Sequence, residues 1–83
     1  MPKKLIWSGQ SRAELRAIEK ATALRILHSL ARLLFTGEGD VERLRDVDPP
    51  EFRLRVGDYR IRFHDRSDSF EILSVKHRRD AYR

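Results

Sequence analysis

The chain has 83 residues, 40% of them hydrophobic and 37% charged, with a formal net charge of +5 and a pI near 10.2. That length holds one small domain, residues 1–83, with one core, and the composition is that of a globular chain, not a disordered one. With no cysteine, disulfide frameworks and thiolate metal sites are excluded. No run is apolar enough to cross a membrane as a helix, and MPKKLIWSGQ lacks the apolar stretch of a signal peptide, so a soluble cytoplasmic protein is expected.

Lys3 to Trp7 reads as a short strand, with Trp7 in or beside the core. Ser8 and Ser11 both suit a helix N-cap. Ser11-Arg12-Ala13-Glu14 also fits the capping box, which predicts a helix from about that point with Leu15 and Ile18 on its buried side. A second helix is predicted from Lys20 to Phe35. Ala23, Leu27, Leu30 and Leu34 recur there at helical spacing, flanked by Leu24, Ile26 and Leu33, and this stripe is expected to supply core. Gly37 is a natural C-cap. The acidic Thr36–Asp40 segment has two glycines but no Gly-Lys-Ser/Thr, which excludes a P-loop.

Val41 to Val47 is expected to form a short turn or helical piece that tucks Leu44 inward. Asp48-Pro49-Pro50 then forces an extended backbone. From Phe52 to Phe63, FRLRVGDYRIRF, apolar and basic residues alternate strictly about Gly57-Asp58, which is a hairpin signal. A two-residue turn puts Val56 opposite Tyr59, Leu54 opposite Ile61 and Phe52 opposite Phe63 on one apolar face. The other face sets Arg55 against Arg60 and Arg53 against Arg62. Like charges directly opposite cost about 0.2–1 kcal/mol per pair, so carboxylates of the fold or an outside anion must offset them. In sequence, Asp58 sits in the turn, and Asp65, Asp68 and Glu71 follow beyond the second strand. A solvated face normally mixes signs. An all-arginine stripe reads instead as the footprint of a polyanion.

Ser69 to Lys76 is a further strand. Simple alternation puts Phe70 and Ile72 on one face and Leu73 and Val75 on the other, as in a central strand shielded on both sides. HRRDAYR follows. The predicted fold class is α+β, ordered β-α-α-β-β-β, an antiparallel-rich sheet with two helices packed on one face. Residues 36–51 carry six acids and two arginines, a net of −4, whereas residues 52–83 carry nine bases and five acids, a net of +4. The basic character therefore collects at the hairpin.

Arg53, Arg55 and Arg60 of the hairpin, His77 and Arg78 after the last strand, and Tyr82 at the terminus are expected to converge on the arginine face. Guanidinium groups suit phosphate oxygens and the negative charge of a phosphorane transition state. Cleavage by a 2′-hydroxyl also needs a base and an acid, and His77 has the only unperturbed pKa near neutrality in this set. His28 reads as a surface residue of the long helix. His64 falls on the arginine side. Three separated histidines without close carboxylates make a poor metal site, and no metal or cofactor is expected.

The hairpin FRLRVGDYRIRF, the strand after it and the ending His77-Arg78-Arg79-Asp80-Ala81-Tyr82 together resemble the C-terminal half of RelE/ParE superfamily toxins of type II toxin–antitoxin pairs. Ile6-Trp7-Ser8, the two helices, Gly39-Asp40-Val41 and Leu44 extend the resemblance over the whole chain. A RelE-like toxin would be a metal-free endoribonuclease that cuts mRNA on the ribosome with the 2′-hydroxyl as nucleophile. A cognate antitoxin would bind and block it, and DNA would be met only through an antitoxin complex. Carried over by resemblance, Arg60, Arg78 and Tyr82 are the catalytic set. Arg53, Arg55, Arg62 and His77 bind phosphate or RNA.

Two departures stand out. Arg53 and Arg55 occupy positions that are often lysine in the RelE branch, and arginine cannot lose its proton to act as a base. The spacing from Arg78 to Tyr82 is also short. The alternatives are a ParE-like toxin that inhibits DNA gyrase without cleaving nucleic acid, or a passive nucleic-acid-binding module. The full basic set favours RNA cleavage.

Overall fold

A computed structural model describes residues 3–81. In chain order the elements are β1 (Lys4–Trp7), α1 (Gly9–Arg16), α2 (Lys20–Thr36), β2 (Val41–Arg43), β3 (Phe52–Val56), β4 (Tyr59–Asp65), β5 (Ser69–His77) and the one-turn α3 (Arg78–Ala81). The strands form one sheet in the order β1-β5-β4-β3-β2, parallel between β1 and β5 and antiparallel elsewhere.

The α+β class and the two N-terminal helices agree with the sequence reading, and the β3–β4 register is the one its alternation predicts. Gly57 takes a positive φ of 56° and Asp58 does not, the pattern of a hairpin turn with glycine in its first central position. The extra strand is β2. Its three exposed residues carry no strand pattern of their own; they are held by pairing with β3, Val41 opposite Leu54 and Glu42 opposite Arg53. The expected turn or helical piece over Val41–Val47 therefore begins as an edge strand, although Leu44 does turn partly inward.

The core lies between α2 and the apolar side of the sheet. Ile26, Leu30 and Leu33 of α2 are buried with Leu54, Val56, Ile61, Phe63, Phe70, Ile72 and Val75. Of the predicted stripe only Leu30 is fully buried. The helix presents its i, i+4, i+7 line from Ile26 and leaves Leu24 and Phe35 45% and 70% exposed. Gly37 closes the helix in the left-handed conformation, its N–H bonding the Leu33 carbonyl at 2.9 Å.

Along β5 the expected division of Phe70 and Ile72 from Val75 is corrected by a bulge. Ser74 pairs with Arg62 and Ile72 with Phe63, so Leu73 is an extra residue between them. The slip returns Val75 to the apolar face beside Ile72 and puts Ser74 and Lys76 among the arginines.

The start of α1 also differs from the capping-box reading. Ser8 is the N-cap, its Oγ accepting the Ser11 N–H at 3.0 Å. Ser11 lies inside the helix, fully buried, and its hydroxyl donates to the Ile72 carbonyl at 2.9 Å. Glu14 does not fold back on the cap. It reaches β5, where Oε1 accepts the Val75 N–H at 2.9 Å and Oε2 takes the Lys76 ammonium at 2.8 Å. Because β1 pairs with β5 only over Ser69–Ile72, Glu14 occupies strand edge that β1 leaves unpaired.

Candidate functional site

Three rows of side chains cross the sheet on the side away from α2. In the first, Glu42, Arg53, Arg62 and Ser74 are neighbours on successive strands. The second runs Arg55, Arg60, Lys76, and the third pairs His64 with Glu71. Alternation in β3 and β4 fixes the arginines there; the bulge at Leu73 adds Lys76, which simple alternation had assigned to no site.

Part of the charge is met from within the chain. Arg55 pairs with Glu42 at 2.9 Å, and Arg62 holds Glu51 through Nε at 3.0 Å and Nη2 at 2.8 Å. Neither acid is among those nearest the hairpin's second strand in sequence. Glu42 arrives on β2, and Glu51 follows the two prolines directly, so the long-range pairing of β2 brings in a carboxylate that local sequence does not reveal. His64 sits between Glu51 and Glu71, at 3.9 and 3.6 Å, and Arg66 bonds Glu71 at 2.8 Å. The Arg66 bond is the main reason the Glu71 carboxyl lies below its ordinary pKa, against a smaller opposing effect of desolvation.

Arg60 and Arg78 gather at the hairpin turn. Arg60 donates through Nη1 to the carbonyls of Gly57 and Tyr59, both at 2.9 Å. The Arg78 N–H bonds the Asp58 carbonyl at 2.6 Å, and its side chain lies 3.9 Å from the Asp58 carboxylate. These bonds place the first residue of α3 beside the start of β4, joining two predicted site residues that are distant in sequence.

His77 does not join the arginine face. It pairs with Tyr59 in the Ile61–Val75 alternation, its ring edge-on to Tyr59 with centroids 5.5 Å apart, and its Nδ1 accepts the Arg79 N–H at 3.2 Å. The register of β5, shifted by the bulge, sends it to the opposite side. His28 is exposed on α2, and His64 lies on the arginine face, as expected. Tyr82 lies outside the described residues. Among the described residues no cluster of three or more His, Asp or Glu is placed to hold a metal ion, and no helix is long and apolar enough to span a membrane.

Residues 5–82 match the family model described as the ParE toxin of the type II toxin–antitoxin system parDE. The chain belongs to this toxin family, within the RelE/ParE superfamily. Among solved structures it is similar to the archaeal RelE–RelB complex from Pyrococcus horikoshii OT3, with a TM-score of 0.78 and 25% identity over 98% of this chain and 100% of that one. It also resembles a chain of the RelB–RelE antitoxin–toxin complex from Methanococcus jannaschii, with a TM-score of 0.76 and 20% identity over 93% and 94% of the two chains. The YoeB dimer from Staphylococcus aureus has the same fold, with a TM-score of 0.76 and 16% identity over 93% and 98%. No curated protein matches the chain. As a member of a superfamily with both RelE and ParE branches, this toxin carries the RelE/ParE fold with an arginine-rich sheet face.

Proposed function

We propose that this toxin is a ribosome-dependent mRNA endonuclease. The observation that supports the reading is the arginine face: Arg53 against Arg62 and Arg55 against Arg60, with Lys76 beside Arg60 and Arg78 at the adjoining turn. In the reaction the RNA 2′-oxygen attacks the neighbouring phosphorus. The bond to the 5′-oxygen breaks and that oxygen takes a proton from water, leaving a cyclic phosphate and a 5′-hydroxyl. Arg60 and Arg78 stabilise the phosphorane charge, while Arg53, Arg55 and Arg62 hold flanking phosphates. Tyr82 orients a base. No metal is required.

The 2′-hydroxyl proton needs an acceptor, and arginine is not one. The groups on this face that can take it are the carboxylates of Glu42, Glu51 and Glu71 and the imidazole of His64. Each already contacts a charged neighbour, so engaging RNA exchanges that contact for one with substrate.

A cognate antitoxin is the second part of the proposal, supported by relatives whose structures are RelE–RelB complexes. An acidic or amphipathic antitoxin segment lying across the arginines would both neutralise and cover them. Its affinity should then fall as salt rises, whereas a salt-independent affinity would place it on apolar helix surface such as Leu24 and Phe35.

The match to the ParE model favours one other reading, inhibition of DNA gyrase without nucleic-acid cleavage. Induced expression separates the two. The endonuclease reading predicts truncated mRNA with unchanged gyrase supercoiling activity; intact mRNA with a DNA-damage response would overturn it in favour of gyrase.

A further inference from the structure

At the far end of β4 from the turn, a surface recess has Pro49, Pro50 and Phe52 among its walls, with Arg43, His64, Asp65 and Arg66 also lining it. From Arg60 to Asp65 is five residues of strand, about 17 Å at ordinary strand rise. Arg43 and Phe52 belong to the row that alternates with Arg53–Arg62, and His64 to the arginine face, so a strand lying on the arginines reaches the recess by turning around the end of β3 and β4. We propose that this recess receives one base of the bound single strand, remote from the scissile phosphate, and so anchors the RNA at a second point. The inference rests on the RNA reading above and names what that reading leaves open.

The chemistry of the recess fits a base better than a phosphate alone. Proline rings and the Phe52 ring offer flat apolar surface, and the Phe52 ring is held by stacking on Phe63 at a centroid distance of 5.7 Å. Every base has an apolar face, so stacking there gives affinity without demanding a sequence. The nearby carboxylates are occupied: Asp65 bonds Lys3, Glu71 bonds Arg66 and Glu51 bonds Arg62. Arg43 forms no ion pair among the described residues, which leaves its charge available to the phosphate of the stacked nucleotide.

The test is amide NMR of the isotope-labelled toxin titrated with a short 2′-O-methyl RNA, which cannot be cleaved. The same oligonucleotide with one base removed, inorganic phosphate and the antitoxin are titrated separately. With the intact oligonucleotide, the amides of Arg43, Phe52, His64 and Arg66 should shift along with those of Arg55 and Arg60. Removing the anchoring base should abolish the recess shifts and weaken binding by roughly fivefold or more, the usual worth of one stacked base. Inorganic phosphate should move Arg43 together with Arg55 and Arg60 and leave the Phe52 and His64 amides still, since it carries no base to stack. If the oligonucleotide moves Arg55 and Arg60 while the recess stays still, the RNA reading stands and the base site is wrong. Recess shifts with antitoxin alone would overturn it in favour of a protein contact. No shift anywhere with RNA would overturn the base site, and primer extension with ribosomes would then decide the RNA reading beneath it separately.

Discussion

Arg62 grips Glu51 with two N–H donors, Nε at 3.0 Å and Nη2 at 2.8 Å, directly across the sheet from Arg53. One of two facing arginines is thereby neutralised by a residue that the two prolines deliver to the start of β3. The same pair sets how strongly the face attracts a polyanion.

Glu51→Gln should release the Arg62 charge to the face. Affinity for single-stranded RNA at low salt should rise, and the slope of log affinity against log salt should steepen by about 0.7, the increment for one more phosphate contact. Fluorescence anisotropy over a salt series measures both. An unchanged slope would mean that Arg62 does not reach RNA.

Glu14 ties stability to pH. Burial pushes its carboxyl up, but the Lys76 ammonium and the Val75 N–H together outweigh burial and bring it below the ordinary value. A depressed carboxyl contributes stability above its unfolded pKa and loses it as pH falls through the lower folded value. Glu14→Gln keeps an acceptor for Val75 and removes the charge. Its urea midpoint should fall below that of the parent at neutral pH, and the gap should close in acid. Glu14→Ala, which also leaves the amide without its acceptor, should cost about 1 kcal/mol more.

The two sides of α2 should respond differently to truncation. Ile26→Ala and Leu30→Ala open cavities against the sheet and should each cost about 2–5 kcal/mol. Leu24→Ala and Phe35→Ala touch exposed side chains and should stay within about 0.5 kcal/mol. Denaturant unfolding of the four variants checks the rotation of the helix face relative to the one its leucines suggest.

The hairpin was legible because its pattern is local: strict alternation about Gly57-Asp58 fixes both register and face. Gly37 was legible for the same reason. What escaped the sequence depends on distant pairing. β2 has no pattern of its own and exists by bonding β3. The bulge at Leu73 reverses the face of Val75, Lys76 and His77, and no residue type announces it. The position of His77 followed that error. Glu42 reached the arginines through the long-range pairing of β2 and Lys76 through the bulge, whereas Glu51, two residues before Arg53, lies on the arginine side by the same local alternation that places Arg53 and Arg55.

The most direct test of the account is primer extension on mRNA from a translation reaction, with and without ribosomes, comparing the toxin with Arg60→Ala. Loss of one preorganised charge at a phosphorane should slow cleavage by about a hundredfold to a thousandfold. An endonuclease working through Arg60 gives cuts that require ribosomes and disappear in the variant, while the variant keeps its fold by circular dichroism. Intact mRNA in every lane from a preparation that arrests growth, or equal cutting by Arg60→Ala, would contradict it.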